Sequence, residues 1–315
     1  MAAELHVQTE VPPISWDEFR STYPAGSIAL DGFVADRPLY DPTGPYLNAN
    51  HHENVDRLAT LSTAQQIARS FRMGMTKAFT KDGLFTAEVY VNDNDQDVCA
   101  AWYLLDNPSQ AKAPSPALNR FLDVAGALDV TAGAFPYDPD MKILQELAWV
   151  FEPYTLFRSS GEMAKKNNGQ YRSVVDDIQG RIGKHLNGRG QSAKLDTNYE
   201  VIASKPEWTM IREIGKDGRV GALMDGIDAY ISVQDLPNER WRYSVGRRSE
   251  FIPFPLAILF DALNNAEQNS DDKWGGATTI GGSPRVGASK LHPKTVVEIV
   301  SNIMERAASE LDKKI

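Results

Sequence analysis

Residues 47–56 read LNANHHENVD and set two of the chain's five histidines, His51 and His52, side by side. A short apolar segment, Ile28-Ala29-Leu30, precedes them and ends on Asp31. A long run of apolar residues at helical spacing follows. A strand, a polar loop with two imidazoles and then a helix is how open α/β sheets present chemistry at the carboxyl edge of a strand. Residues 92–97, NDNDQD, repeat the arrangement with three alternating carboxylates, Asp93, Asp95 and Asp97. The expected fold is therefore α/β: an open, mostly parallel sheet with flanking helices, joined to a smaller α/β domain at the C-terminal end.

Working outward, residues 1–13 read as a loose arm and 16–23 as a short helix, capped by Ser15 with Asp17 and Glu18 in its first turn. Residues 27–30 and 46–47 read as strands, with a turn-rich segment, ADRPLYDPTGP, between them. From Val55 to Phe79 the residues Leu58, Leu61, Ile67, Ala68, Phe71 and Met75 recur at helical spacing, with one tolerated glycine, Gly74. Residues 85–91 alternate and are rich in aromatic and β-branched types, so they predict a strand. Residues 98–105, 118–128, 141–151 and 162–186 predict helices, and 108–116 a loop.

Composition changes at residues 187–197, NGRGQSAKLDT, which divides the chain into domains 1–186 and 198–315. Beyond it, residues 199–203, 208–214, 229–234 and 241–247 are strand-like. Residues 253–265 and 293–312 predict helices around a glycine-rich loop, 274–287.

At 315 residues the chain can bury two cores, and 42% hydrophobic with 24% charged residues is a globular balance. A net charge of −9 opposes a broad electrostatic grip on nucleic acid, though a local basic groove could hold a short oligonucleotide. Cys99 is the only cysteine, which excludes an internal disulfide and a cysteine-rich zinc site. It lies in apolar VCAAW, where a buried thiol is inert packing rather than a nucleophile. No apolar run approaches the roughly 20 residues of a membrane span, and the first residues lack the basic and apolar parts of a signal peptide. A cytoplasmic protein with no membrane partner is expected; the oligomeric state is open. Neither a Walker phosphate loop nor a GxGxxG fingerprint occurs.

Alternating aspartates after a strand suit a hard divalent cation, because carboxylate oxygens are preferred by Mn²⁺ and Mg²⁺. Alternate residues of an extended segment point the same way, so Asp95 and Asp97 could share a metal pair. A solvated acidic turn is the plain alternative. An EF-hand is disfavoured, since Val98 stands where its loop requires glycine. Two imidazoles beside the strand-end Asp31 add to the metal reading, because imidazole and carboxylate together commonly hold paired catalytic metals. Trp208, Trp241 and Trp274 could stack a base, with core packing the simpler reading.

These residues resemble the DHH phosphoesterases. Asp31, then Asn50-His51-His52, then a helix containing Ala59 and Ser62-Thr63-Ala64 is similar to that family's second and third motifs. NDNDQDVCAAW resembles its first motif and LDVTAGAF, which contains Asp129, its fourth. YSVGRRS, then a helix, then Gly281-Gly282-Ser283-Pro284-Arg285 resembles the accompanying substrate-binding domain. The order is permuted, because the aspartate motif follows the histidine motif here, whereas in the family it comes first. Asn50 replaces the first residue of the DHH triplet, and the histidine expected upstream of Asp-x-Asp is missing.

The resemblance implies a phosphohydrolase with two Mn²⁺ or Mg²⁺ ions, acting on a phosphodiester, a nucleotide or a short oligonucleotide. Asp31, His51, Asp95, Asp97 and Asp129 would be ligands, with Asp93 a sixth. His52 and Arg285 would act on the phosphate and leaving oxygen. Arg248, Gly281, Gly282, Ser283 and Arg285 would bind substrate, and glycine N–H groups with a guanidinium suit an anion independently. Asn50 and the missing histidine favour an alternative, a degenerate member that binds a nucleotide or phosphorylated ligand without hydrolysis. An interaction module with solvent-facing acidic loops is the further alternative.

Overall fold

The computed structural model describes residues 2–113, 115–269 and 271–312. The chain is mixed α/β and divides into two compact units, one of residues 1–130 and 142–194, the other of 131–141 and 195–315.

The strands of the first unit are β1 (Ala2–Val7), β2 (Ser27–Leu30), β3 (Leu39–Asp41), β4 (Tyr46–Ala49), β5 (Thr80–Lys81) and β6 (Leu84–Val91). They lie in the order β1-β6-β2-β4-β3, with β5 paired to β6. β1, β6, β2 and β4 are mutually parallel, while β3 and β5 run against their neighbours. The chain leaves the central strand β2 toward β4 on one side, then crosses to β6 on the other. That reversal makes β2 a topological switch point, and the loops after β2, β4 and β6 all leave the same sheet edge.

Both faces of this sheet are buried, as parallel sheets require. Helix α1 (Trp16–Thr22), capped by Ser15, drives Phe19 into one face beside Ala29 and Tyr90. Phe19 meets Phe33, Tyr46 and Tyr90 edge-on, with ring centroids 6.1–6.2 Å apart. Strand alternation sends Ile28, Leu30, Val89 and Val91 to the other face, and all four are fully buried. Helix α2 (Thr63–Arg72) contacts β4, and α3 (Met75–Ala78) follows it. Helix α4 (Gln96–Asp106) contacts β1 and packs on α2, with every residue from Asp97 to Leu105 buried. Helices α5 (Pro108–Lys112), α6 (Pro116–Val130), α7 (Lys142–Val150), α8 (Glu152–Ser159) and α9 (Asn168–Leu186) complete the unit.

The second unit holds β7 (Tyr199–Ser204), β8 (Thr209–Glu213), β9 (Ala229–Leu236), β10 (Arg240–Arg247), β11 (Gly275–Gly276) and β12 (Ile280–Gly282), in the order β11-β12-β10-β9-β8-β7. Its pairs are antiparallel except β8–β9, which are joined through α10 (Gly218–Met224). Helices α11 (Leu256–Glu267) and α12 (Pro293–Asp312) supply Leu259, Leu263, Val296 and Val300 to a core shared with Ile231, Tyr243 and Val245.

Several sequence expectations change. The loose arm is instead β1 from Ala2 onward, because β6 offers it a complete parallel ladder that local composition does not reveal. The helix expected from Val55 begins only at Thr63, where Ser62 and Gln65 form a capping box. It stops at Arg72, since Gly74 adopts φ +103° and starts the separate short α3. Residues 108–116 contain α5 rather than only a loop. The segment 131–141 groups with the second unit, where Ala134 packs on Leu223 and Tyr230.

The aromatic cluster under α1 should dominate stability on its face of the sheet. Phe19→Ala is expected to cost about 3–5 kcal/mol, read from the urea unfolding midpoint of the metal-free protein.

Candidate metal centre

The three loops at the carboxyl edge converge. Asp31 follows β2 with φ +49° and Gly32 with φ +86°, a left-handed pair that turns the Asp31 carboxylate back over the strand ends. Aspartate tolerates this conformation better than most residues. Its N–H still bonds to the Ala49 carbonyl, so the sheet ladder itself fixes the ligand loop.

After β4, Asn50 organises the histidine loop. It is fully buried, and its amide nitrogen donates to the carbonyls of Val34 (3.2 Å) and Asp36 (2.8 Å) and to Glu53 Oε2. Its Oδ1 accepts the His52 N–H, which fixes the orientation of the amide. His51 is thereby held wholly inside, while His52 remains open at the mouth. The rings lie 4.3 Å apart, centroid to centroid.

His51 Nε2 faces three carboxylates: Asp129 Oδ2 at 2.8 Å, Asp31 Oδ1 at 3.2 Å and Asp97 Oδ2 at 3.6 Å. Asp129 reaches in from the last turn of α6, and Asp97 from the first turn of α4. His52 Nε2 lies 2.9 Å from Asp31 Oδ1, which also accepts the Thr63 hydroxyl at 2.9 Å. The Asp97 carboxylate accepts the backbone N–H groups of Thr63 and Ala64, so it closes the N-terminus of α2 as well as facing His51.

Electrostatics mark the cluster as short of positive charge. Burial, reinforced by Asp129 and Asp31, pushes the Asp97 carboxyl up to about 8. Burial likewise leads in raising Asp95, with Asp31 and Asp93 adding to it. For Asp31 burial acts upward, but the two imidazoles prevail and hold it far below the carboxylate range. His51 shows the converse: burial disfavours the charged ring, yet Asp129 and Asp31 raise it to about 10. Protons on His51 and Asp97 thus do the neutralising that a cation would do.

The donor set fits a divalent cation. His51 Nε2 and Asp129 Oδ2 are buried and in contact, yet neither has a hydrogen bond of acceptable angle. Once the His51 proton leaves, both atoms can turn their lone pairs to one cation. Among the described residues, the ligand atoms of Asp31–His51–His52, and those of His51–Asp97–Asp129, lie within 4.8 Å of one another. Imidazole nitrogen with carboxylate oxygen suits Mn²⁺ and its neighbours. A third group, Glu4–His6–Glu88, lies on β1 and β6, where a 2.6 Å His6–Glu88 hydrogen bond accounts for it.

Of the expected ligands, the structure brings Asp31, His51, Asp97 and Asp129 together, with His52 at their edge. Asp95 and Asp93 join neither group. Asp95 caps α4 by accepting the Val98 N–H at 2.9 Å, and Asp93 Oδ1 accepts the Asn94 N–H at 2.7 Å. Thr63 and Arg57 were not anticipated. Thr63 could have been found from the Ser62 cap, which places the next residue's N–H and hydroxyl at the loop. Arg57, whose Nη2 donates to the Asp129 carbonyl at 3.1 Å, left no sequence signal.

Arg248, Gly281, Gly282, Ser283 and Arg285 belong to the second unit. Gly281 and Gly282 are ladder residues of β12, paired with Val245 and Ser244. A side chain at Gly281 would strike Phe260 and the Gly275 carbonyl, so close packing explains that glycine. Ser283 is buried and exchanges bonds with the Tyr243 backbone through its hydroxyl (3.0 Å) and its N–H (3.1 Å). Arg248 pairs with Asp228 and donates to the Leu223 carbonyl. The Arg285 N–H, with those of Val286 and Gly287, donates to the Asp272 carboxylate at 2.8 Å. Trp208 and Trp274 are core residues, and Trp241 donates to Asp235. Cys99 is fully buried, which pushes its thiol well above the ordinary value.

A cavity of about 780 Å³, lined in part by Lys77, Leu84, Asp106 and Lys112, lies by the start of β6, at the opposite edge of the sheet. It holds no cluster of ligating side chains among the described residues. No helix among the described residues is long and apolar enough to cross a membrane. Searches against known protein families and against curated proteins find no match for this chain.

Asn50→Asp should be destabilising although nearly isosteric, because the new carboxylate would face the carbonyls of Val34 and Asp36. A loss of about 1–3 kcal/mol is expected in urea unfolding of the metal-free protein. The pH response follows from the raised groups. His51 lends stability that is complete below 6.5 and gone above about 10. Asp97 lends its share fully below 3.8 and loses it by about 8. Asp31 acts oppositely, its share lost only in strong acid. In chelator, the melting temperature should therefore fall between about pH 6 and pH 9, and Mn²⁺ should flatten the slope. A flat profile in chelator would count against this protonation pattern.

Proposed function

We propose that the chain is a divalent-metal-dependent phosphohydrolase of the DHH type, acting on a phosphodiester, a nucleotide or a short oligonucleotide. The observation that carries the reading is the convergence of Asp31, Asp97 and Asp129 on a buried His51 at a topological switch point. In this reading Asp31, His51, Asp97 and Asp129 hold Mn²⁺ or Mg²⁺ as a pair of ions, and Asp93 and Asp95 add negative charge nearby. Bound there, the metals supply Lewis acidity and lower the pKa of a water.

The chain's own residues do the rest. Thr63 and His52 orient the Asp31 carboxylate through Oδ1. The first N–H groups of α2 hold Asp97 in one rotamer, which limits reorganisation as charge develops. His52, open to solvent and steadied by Asp31, exchanges a proton with the leaving oxygen. Burial of His51 keeps water from competing for its ring.

A second reading keeps the phosphorylated ligand or nucleotide but removes hydrolysis. The buried Asn50 favours it, since its amide is committed to the carbonyls of Val34 and Asp36 and to Glu53.

Asp129→Asn separates these readings from a purely structural cluster. It should weaken Mn²⁺ binding by at least about tenfold in calorimetry while leaving the fold intact by circular dichroism. Mn²⁺-dependent cleavage of bis(p-nitrophenyl) phosphate by wild-type protein, lost in the variant, supports hydrolysis. Metal binding without cleavage of any phosphate ester selects the second reading, and unchanged Mn²⁺ affinity rejects both.

A further inference from the structure

Five residues after His52 the same loop carries Arg57, a half-buried guanidinium beside a cluster of carboxylates. Its backbone is fixed by Asp56, whose Oδ1 accepts the N–H groups of Leu58 (3.0 Å) and Ala59 (3.3 Å). Its Nη2 donates to the backbone carbonyl of Asp129, whose side chain touches His51. Its Nε is buried and has no hydrogen-bond partner. Among the described residues Arg57 enters no ion pair, so its one side-chain bond is the one to the Asp129 carbonyl.

A buried N–H left unpaired costs stability, more so on a charged group. A guanidinium has five donors in a fixed fork, and one anchored bond leaves most of that fork for another acceptor. The carboxylates nearby are turned toward His51 and α2, so they do not satisfy it. The acceptor that fits is an anion brought to the centre from outside, and the fork geometry matches the paired oxygens of a phosphoryl group.

We infer that Arg57 is the anion-recognition residue of this centre, binding a phosphoryl oxygen of the substrate beside the metal ligands. The inference rests on the metal reading above. It assigns substrate recognition to the loop that also carries the histidines, so one short segment supplies both metal ligand and phosphate contact. A guanidinium there also offsets negative charge that a phosphate adds to an already acidic site.

The test is calorimetry of full-length wild-type, Arg57→Ala and Arg57→Lys proteins, first with Mn²⁺ alone and then with inorganic phosphate on the Mn²⁺-loaded protein. The expected result is Mn²⁺ affinity within about twofold of wild type for both variants. Phosphate affinity should fall by at least about tenfold in Arg57→Ala and recover partly in Arg57→Lys, which restores charge but not the fork. Unchanged phosphate binding in Arg57→Ala overturns the inference. Mn²⁺ and phosphate affinities falling in step in both variants overturn it too, since Arg57 would then act only by positioning Asp129. Wild-type protein that takes up no Mn²⁺ overturns the metal reading together with the inference. Wild-type protein that binds Mn²⁺ beside an unaffected Arg57→Ala overturns the inference alone.

Discussion

Like charges held close together, away from bulk water, are the constraint on which this structure turns. Two unit charges 4 Å apart repel by about 4 kcal/mol at an effective dielectric near 20. Asp31, Asp97 and Asp129 are all within 3.6 Å of one imidazole nitrogen, so their mutual repulsion has to be met inside the fold. Each carboxylate is met by a different device. Asp31 receives Thr63 and His52, Asp97 receives the N-terminus of α2, and Asp129 abuts His51. What these devices leave over is a demand for positive charge, which protons meet partly and a divalent cation would meet more fully.

Topology makes that arrangement possible. Because β4 and β6 flank β2 and run parallel to it, the chain delivers three loops to one edge from three separated stretches of sequence. Each loop then supplies one member of the cluster, Asp31, His51 or Asp97, and α6 adds Asp129. The cost is concentrated at Asp31, whose left-handed backbone is held by the ladder bond to Ala49. Asn50 performs the matching task for β4. It donates where an aspartate could only accept, and so it anchors the loop to the carbonyls of Val34 and Asp36.

The sequence displayed much of this. Strand ends followed by Asp31, His51-His52 and Asp97 are visible because buried strands and polar loops alternate sharply there, and the open α/β sheet follows from the same alternation. Asp95 was harder to read, since an aspartate before a helix is equally suited to a cation and to a cap, and here its Oδ1 accepts the Val98 N–H. Gly281 shows the same ambiguity: a glycine can expose backbone to an anion or admit a neighbour, and here Phe260 is the neighbour. Arg57 was invisible because its significance depends on the Asp129 carbonyl, a backbone atom far away in sequence. β1 was missed for a related reason, its partner β6 being remote.

That remoteness bears on how the chain assembles. β1 pairs with β6 from Ala2↔Thr86 to Val7↔Val91, so the first strand can find its place only after a long loop has closed. Loop closure of this kind carries an entropy cost that local contacts do not, and parallel pairing across it is slow. Until β1 is in place, the side of β6 that it covers is a bare row of backbone donors and acceptors, and strand addition by another chain has its opening there rather than at the acidic end of the sheet.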